Sequence, residues 1–255
     1  MRRRIDRPTR RLCRSGVPPI LSPFHGRRIG RGFPVGAVAV LLIAALLRGE
    51  AAAQHPSDDA TAHRSFDDVL YWEKVFDDPK RDEWQRPDEL VVALALEPGM
   101  RVADLGAGTG YLTRRLSRAV GASGSVLAAE VEPKLVAHLR ERAEREGLAN
   151  VTPVLASTDN PRLPAGVVDL VLILDTYHHI DDRVAYLRRL RPVLTARGRI
   201  AIIDWHKRPL PEGPPPPHKL ARRQVIDEMK RAGYDLRSEE KILPFQYFLV
   251  FSPRE

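Results

Sequence analysis

The sequence contains one cysteine among its 255 residues, Cys13, and it lies within the first fifty. The rest of the chain therefore has no disulfide bond, no thiolate nucleophile and no cysteine metal site. Residues 51–255 also lack an excess of positive charge. The first fifty residues carry 11 of the 41 Lys and Arg and only two acids, which leaves 30 basic and 31 acidic side chains for the remainder. A near-neutral body argues against nucleic acid as a partner, because binding a phosphate backbone needs clustered cations.

Residues 1–53 have the pattern of an export signal. An Arg-rich stretch ends at Arg31, and the uncharged, mostly apolar run VGAVAVLLIAALL (Val35 to Leu47) follows. Its length suits the apolar region of a signal peptide and falls short of the roughly 20 residues that span a bilayer. RGEAAAQ then supplies small residues for cleavage. We expect a periplasmic, exported or membrane-anchored protein. The alternatives are an uncleaved anchor, through which the chain would associate with a membrane, and an over-assigned start on a cytoplasmic protein.

After a turn at EPGM, strand-like and helix-like segments alternate to the end of the chain. The predicted strands are Arg101–Leu105, Val126–Glu130, Val151–Leu155, Val167–Asp175 and Arg199–Trp205, and the last two segments, near Leu236–Leu243 and Gln246–Phe251, are spaced to form a hairpin. The helices between them are predicted at Tyr111–Val120, from Pro133 to Gly147, at Ile180–Leu194 and at Leu220–Ala232. This alternation predicts one doubly wound α/β domain with an antiparallel strand at its edge.

The stretch VADLGAGTGYL places three glycines at alternate positions directly after the first predicted strand, where a doubly wound sheet binds its ligands. A dinucleotide fingerprint needs a glycine where Tyr111 stands, and no Lys-Ser or Lys-Thr follows to make a phosphate loop. Asp104 would repel a pyrophosphate and attract an ammonium or sulfonium group. S-adenosylmethionine (SAM) carries both of these cations and no phosphate.

The motifs that follow resemble, in order, those of the class I SAM-dependent methyltransferases, over roughly residues 66–252. VADLGAGTGYL is similar to the first motif, VLAAEVEP to the second, LASTDNPRLP to the third and VVDLVLILDTYHHI to the fourth. LTARGRIAIIDW resembles the next turn and strand, although Arg197-Gly198 replaces the usual Gly-Gly. The resemblance implies a Rossmann-like seven-stranded sheet of order 3-2-1-4-5-7-6, with strand 7 antiparallel.

The same resemblance assigns cofactor contacts at the strand ends. The acid of the second motif, Glu130, would bind both ribose hydroxyls, and Asp159 of the third motif would reach the adenine amino group beside the Asn160 backbone. The end of the fourth strand would face the methyl donor through Asp175 and the Thr176–Tyr177 backbone. Each of these acids, taken alone, could be a loop cap or a solvated charge. The assignment depends on the five motif-like stretches following one another in the expected order. The predicted SAM-binding residues are Asp104, Gly106, Ala107, Gly108, Gly110, Glu130, Asp159, Asn160 and Asp175.

Methyl transfer is an in-line displacement, so the enzyme mainly positions the two reactants, and a hydroxyl or phenol acceptor also needs a base. The predicted catalytic residues follow the fourth and fifth strands: Tyr177, His178, His179 and Asp204, with His206 as a further candidate base. We expect one of the paired histidines to face the pocket and the other to cap or pack under the next helix. A metal held by Asp175, Asp204 and His178 is a minor alternative, because metal-dependent relatives carry Asp-Asn where this chain has Asp204-Trp205.

The resemblance implies a small-molecule methyl acceptor, because paired histidines after the fourth strand are frequent in the small-molecule members of the family. DTYH stands where enzymes that methylate nucleic-acid or amide nitrogen have NPPY, which together with the near-neutral body disfavours DNA and RNA. The predicted organisation is a leader (1–53), an N-terminal helical extension (54–96) and a methyltransferase domain (97–255). The extension either folds over the pocket or packs as a helix with core aromatics. In the first case its substrate-lining candidates are Tyr71, Trp72, Trp84 and Gln85. The alternative from another functional class is a non-catalytic SAM- or nucleoside-binding protein of the cell envelope, since SAM is made in the cytosol.

The leader prediction is tested by fusing residues 1–60 to a reporter that is active only outside the cytosol. We expect reporter activity, because the Arg-rich stretch and the apolar run together direct export. Activity confined to the cytosol, with an intact N-terminus by mass spectrometry, would contradict the export hypothesis.

Overall fold

A computed structural model describes residues 68–254, so the predicted leader lies outside the described residues. Three short helices come first, α1 (Val69–Phe76), α2 (Pro79–Gln85) and α3 (Pro87–Ala93). The strands are β1 (Arg101–Leu105), β2 (Ser125–Glu130), β3 (Val151–Leu155), β4 (Val168–Leu174), β5 (Leu194–Trp205), β6 (Tyr234–Glu240) and β7 (Gln246–Pro253). The remaining helices are α4 (Thr113–Val120), α5 (Pro133–Arg145), α6 (Arg183–Leu190) and α7 (Arg222–Arg231).

The seven strands form one sheet of order β3-β2-β1-β4-β5-β7-β6. Strands β1 to β5 are parallel, and β7 is antiparallel to both β5 and β6. This order confirms the predicted fold class. Strand β4 lies at the centre and is apolar along nearly its whole length, as a strand with both faces buried must be. Among residues 68–254, none of the helices combines the length and hydropathy that crossing a bilayer requires.

The two larger apolar cores of the described residues lie against the sheet. One contains Leu187 and Leu190 of α6 together with Val225 and Met229 of α7. The other contains Leu90 of α3 together with apolar residues of α4. Both cores leave the carboxyl ends of β1, β2, β4 and β5 at a common edge, because parallel strands all end on the same side. The candidate site residues lie at this edge.

The structure shortens the predicted helix Ile180–Leu194 at both ends. Helix α6 begins after Asp182, whose side chain accepts a hydrogen bond from the Ala185 N–H at 3.2 Å. It ends at Leu190 and is followed by a 3₁₀ turn that contains Pro192. Leu194 already belongs to β5, where it pairs with Val168 across an irregular register, so β5 begins five residues before the predicted start at Arg199.

Residues 69–86, which form helices α1 and α2, lie over the carboxyl edge of the sheet; we call them the N-terminal cover. Asp77 ends α1 and accepts a 2.6 Å contact from Nη1 of Arg142 on α5. The Tyr111 hydroxyl donates to Asp82 of α2 at 2.5 Å. Helix α2 is missing from the sequence prediction, although Asp78 followed by Pro79 is a good helix start. The extension therefore folds over the predicted pocket, as one of the two alternatives expected.

The Tyr177 side chain does not face the candidate site. It is fully buried in the core beside α6 and α7, and its hydroxyl donates to Oε2 of Glu228 at 2.8 Å. Burial, followed by the Glu228 charge, raises the pKa of the Tyr177 hydroxyl above its usual value. A phenol that is harder to ionise and turned into the core cannot act as a base, so the catalytic prediction for Tyr177 is wrong.

Tyr177→Phe should lower the free energy of unfolding by about 1 kcal/mol, the usual net contribution of one buried hydrogen bond. Glu228 keeps its bonds from Arg183 and Gln224, so its charge is not left unpaired. Urea unfolding of the two proteins measures the difference. An unchanged free energy of unfolding would show that the hydroxyl contributes nothing to the core.

Candidate active site

The glycine loop lies at the end of β1 in a backbone conformation that suits glycine. Gly106, Gly108 and Gly110 have φ values of +73°, +56° and +90°. A Cβ added to Gly106 would lie 2.3 Å from Oγ1 of Thr176, at the end of β4. The loop can therefore approach the fourth strand closely because it has no side chain there. The N–H groups of Gly106 and Ala107 donate to the Ala129 carbonyl, which fixes the loop to β2.

Two of the predicted cofactor acids are buried at this loop. Asp104 accepts a hydrogen bond from the Thr113 hydroxyl at 2.6 Å, and burial raises its pKa to about 6. The Glu130 carboxylate accepts from the backbone N–H of Gly108 at 2.9 Å and from those of Val131 and Glu132 at 2.7 and 3.2 Å. Its pKa is raised as well, because burial outweighs these three bonds. A buried carboxylate whose desolvation outweighs its hydrogen bonds favours a cationic or hydroxyl-bearing ligand.

Asp159 and Asn160 lie on an exposed turn that follows β3. Asp159 accepts from the Ser157 hydroxyl at 2.8 Å, which lowers its pKa, and the Asn160 side chain accepts from the Arg162 N–H. This turn is on the same edge of the sheet as Glu130, whose carbonyl accepts from Ala156 at 2.9 Å. The position is compatible with the adenine contact that the motif implies, and that role stays a prediction.

His178 and Asp204 form a buried pair between the ends of β4 and β5. Nδ1 of His178 lies 2.8 and 3.0 Å from the two carboxylate oxygens of Asp204, and the His178 backbone N–H donates to the same carboxylate at 3.1 Å. The Trp205 N–H adds a third donor at 2.8 Å. Burial alone would lower the pKa of His178, but the hydrogen bond and charge of Asp204 and the charge of Asp175 outweigh it, so the pKa is raised.

The second histidine of the pair has a different environment. The ring of His179 lies 4.1 Å from that of His178, centroid to centroid. Although part of His179 is exposed, desolvation of its ring and the adjacent His178 lower its pKa to about 4. His206 follows β5, with its ring 5.9 Å from that of Tyr247, and burial lowers its pKa. The two adjacent histidines therefore lie in different environments, and among these three only His178 is bound to a carboxylate. His179 is exposed and Asp182 caps the next helix, so which histidine faces the acceptor stays a prediction.

Asp175 is held in a ring of polar side chains that the sequence prediction largely missed. Nη2 of Arg81 lies 2.9 Å from Oδ2 of Asp175 and also donates to Gln85. Gln85 donates to Gln246 at 2.6 Å, and Gln246 donates to the other Asp175 oxygen. Burial raises the pKa of Asp175 to about 6. The spacing of Arg81 and Gln85 on one face of a helix, four residues apart, was the available signal for this ring.

The upstream aromatic residues separate into two groups. Trp84 packs against Trp205 and Phe245, with centroids 5.1 and 6.1 Å apart, so it lies beside the end of β5. Tyr71 and Trp72 pack together on α1, and Trp72 also contacts Phe76. Phe76 in turn covers Gly108, since a Cβ there would lie 3.3 Å from its ring. Trp84 and Gln85 therefore border the candidate site, whereas Tyr71 and Trp72 support its cover.

The three residues considered as metal ligands are engaged otherwise. Asp204 accepts three N–H groups, and Asp175 accepts from Arg81 and Gln246. In the part of the chain that the structure describes, no group of three or more His, Cys, Asp or Glu side chains is arranged to hold a metal ion. The site instead presents three carboxylates (Asp104, Glu130, Asp175), a guanidinium and a histidine.

Comparisons with known proteins agree with this geometry. Residues 102–198 match a family model described as a methyltransferase domain. The chain is 30% identical over 148 residues to the ubiquinone/menaquinone biosynthesis C-methyltransferase UbiE of Shewanella sp. (strain ANA-3), which covers 58% of this chain and 52% of the relative. It is 32% identical over 111 residues to UbiE of Vibrio vulnificus (strain YJ016), covering 43% of each. The chain thus spans about half the length of the curated relatives it matches.

Among solved structures, a SAM-dependent methyltransferase from Aquifex aeolicus superimposes with a TM-score of 0.68 at 28% identity. The match covers 72% of this chain and 97% of that one. A type 11 methyltransferase from Sulfolobus solfataricus superimposes with a TM-score of 0.52 at 19% identity, a similarity that shows the fold alone.

Asp104→Asn and Glu130→Gln should each weaken SAM binding by about 1–3 kcal/mol, because each removes a charge-assisted contact. In the wild type, affinity should fall as the pH falls through about 6, where Asp104 takes up a proton. Asp104→Asn should reduce this dependence without abolishing it, since the pKa of Asp175 is also about 6. Calorimetry between pH 5 and 8 measures both effects.

The matched control is Asp235→Asn, an acid of β6 that pairs with Arg254 at the surface. It should leave SAM affinity unchanged at every pH. Wild-type affinity in both site variants would show that these two carboxylates do not bind the cofactor.

Proposed function

The chain contains a class I SAM-dependent methyltransferase domain, and from this premise we propose that it transfers a methyl group from SAM to a small organic acceptor. When bound, SAM supplies an electrophilic methyl group on a sulfonium. The residues present fit such a molecule. Asp104 is buried and Asp175 is partly buried, and both have raised pKa values that a nearby cation would offset. Glu130 lies at the glycine loop, where a hydroxyl can reach it.

The observation that carries the reaction type is the His178–Asp204 pair. Asp204 accepts from Nδ1 of His178, so the other ring nitrogen, Nε2, is left as the basic one. A histidine oriented in this way by a buried carboxylate is the arrangement that general bases use. His178 would take the proton that the acceptor loses as its oxygen or carbon bonds to the methyl group, while the electron pair of the broken carbon–sulfur bond stays on sulfur.

We propose a hydroxylated aromatic compound as the acceptor. Methylation at a phenol oxygen or at an activated ring carbon releases a proton, which gives His178 a role that amine methylation does not need. Trp84, Trp205 and Phe245 lie beside the ends of β5 and β7, and their rings offer a surface for a planar molecule. The curated relatives that are C-methyltransferases of ubiquinone and menaquinone biosynthesis support this choice.

His178→Gln should leave SAM affinity unchanged and reduce turnover by about 10²–10⁴-fold, the contribution of a general base. The wild-type rate should rise with pH, because only neutral His178 accepts a proton, and its midpoint should lie above 6.5, since Asp204 raises the pKa. Asp204→Asn should move this midpoint to lower pH. Turnover of SAM against a panel of phenols, hydroxylated quinones, acids and amines measures the rates.

His179→Gln serves as the matched control, and it should change turnover only modestly. Full turnover in both histidine variants would contradict the role of His178 and leave His206, Asp204 or positioning alone to explain catalysis. SAM binding without turnover on any acceptor would instead favour the non-catalytic binding protein.

The predicted leader adds a proposal about location. We propose that residues 1–53 direct the chain to the cell envelope, with any membrane association made through that segment. The reporter fusion of residues 1–60 tests this independently of the enzyme activity.

A further inference from the structure

The N-terminal cover brings a guanidinium to the carboxyl edge of the sheet. Arg81 of α2 lies between the glycine loop and the end of β4. Its Nη2 is 2.9 Å from Asp175, and its Cζ lies 4.2 Å from the centre of the Tyr111 ring, directly after the loop. The Arg81 side chain is only 13% exposed. A nearly buried arginine at this position is expected to have a specific anionic partner.

The neighbouring arginines are committed elsewhere. Arg115 also lies against the Tyr111 ring, at 5.1 Å, but it pairs with Asp82 of α2 and Asp88 of α3. Arg142 is held below the loop by Asp77, Glu146 and the Thr109 carbonyl. Of these three arginines, Arg81 is the one paired with an acid of the candidate site.

Neutral groups form the other hydrogen bonds of the Arg81–Asp175 pair. The Arg81 guanidinium donates to the Phe76 carbonyl and to the Gln85 side chain, and Gln246 donates to Asp175. These bonds place a positive and a negative group side by side without adding further charge. An ion pair that is only partly buried contributes little net stability, so each member can exchange its partner for a ligand group of the same charge at small cost.

The amino-acid end of SAM carries the complementary charges, one ammonium and one carboxylate. We propose that Arg81 and Asp175 together recognise this zwitterion, exchanging their mutual ion pair for one pair with the ligand carboxylate and one with the ligand ammonium. Arginine suits the carboxylate because its planar fork can donate two parallel hydrogen bonds. This inference rests on the proposed function and adds a cofactor-binding residue that lies outside all the methyltransferase motifs.

The experiment compares SAM with decarboxylated SAM, which keeps the sulfonium and the ammonium but has no carboxylate, by calorimetry on the full chain. The wild type should bind SAM at least about tenfold more tightly than decarboxylated SAM, the scale of one charge-assisted contact. Arg81→Met should weaken SAM binding by about 10–100-fold and change the affinity for decarboxylated SAM less than about threefold. Asp175→Asn should weaken the binding of both ligands alike, because both carry the ammonium.

Arg115→Met is the matched control, since it removes a second guanidinium that lies against the same tyrosine, and it should preserve the preference for SAM. A wild-type preference below about threefold, or an equal loss of both ligands in Arg81→Met, would overturn the proposal. If Arg81→Met does not fold, Arg81→Lys should fold and show a reduced preference for SAM over decarboxylated SAM. An unreduced preference in Arg81→Lys would contradict recognition of the carboxylate by the planar guanidinium. Binding of neither ligand by the wild type would overturn the proposed function itself.

Discussion

Burial of carboxylates at one edge of the sheet is the constraint that organises this molecule. Asp104 and Asp204 are the next-to-last residues of β1 and β5, and Asp175 directly follows β4. Asp104 and Asp204 are buried and Asp175 is partly buried, at a cost that hydrogen bonds must offset. The donors come from other elements of the fold: Thr113 at the start of α4 bonds Asp104, and His178 after β4 bonds Asp204. The same bonds that offset desolvation therefore assemble the site.

The N-terminal cover depends on this edge as much as the site does. It contributes Arg81 and Gln85 to the ring around Asp175, and its Phe76 covers the glycine loop at Gly108. Asp77 anchors the cover to Arg142 of α5. Because Arg81, Gln85 and Asp77 hold the cover through ion pairs and hydrogen bonds, these contacts can exchange partners with a charged ligand more readily than a buried apolar interface can.

Much of the core was predictable because local patterns report directly on strand position. Strands β1 and β3 have the bounds that the sequence predicts, since each is a short apolar run between a turn and a glycine or polar segment. The start of β5 was missed because Leu194 to Gly198 contains polar and basic residues, and pairing with β4 outweighs their local preference. Tyr177 was assigned to the site because its neighbours are, yet its side chain points into the core to meet Glu228.

The sequence by itself determined the fold class, the glycine loop and the positions of Asp104, Glu130 and Asp175. Strand ends and turns are specified by residues that are neighbours in the chain, so a local pattern is enough to locate them. The tertiary structure alone decided which histidine is bound to a carboxylate and which cation meets Asp175. His178 and Asp204 are 26 residues apart, and Arg81 is 94 residues from Asp175. Contacts across such separations depend on how elements pack, and a local pattern carries no record of the partner.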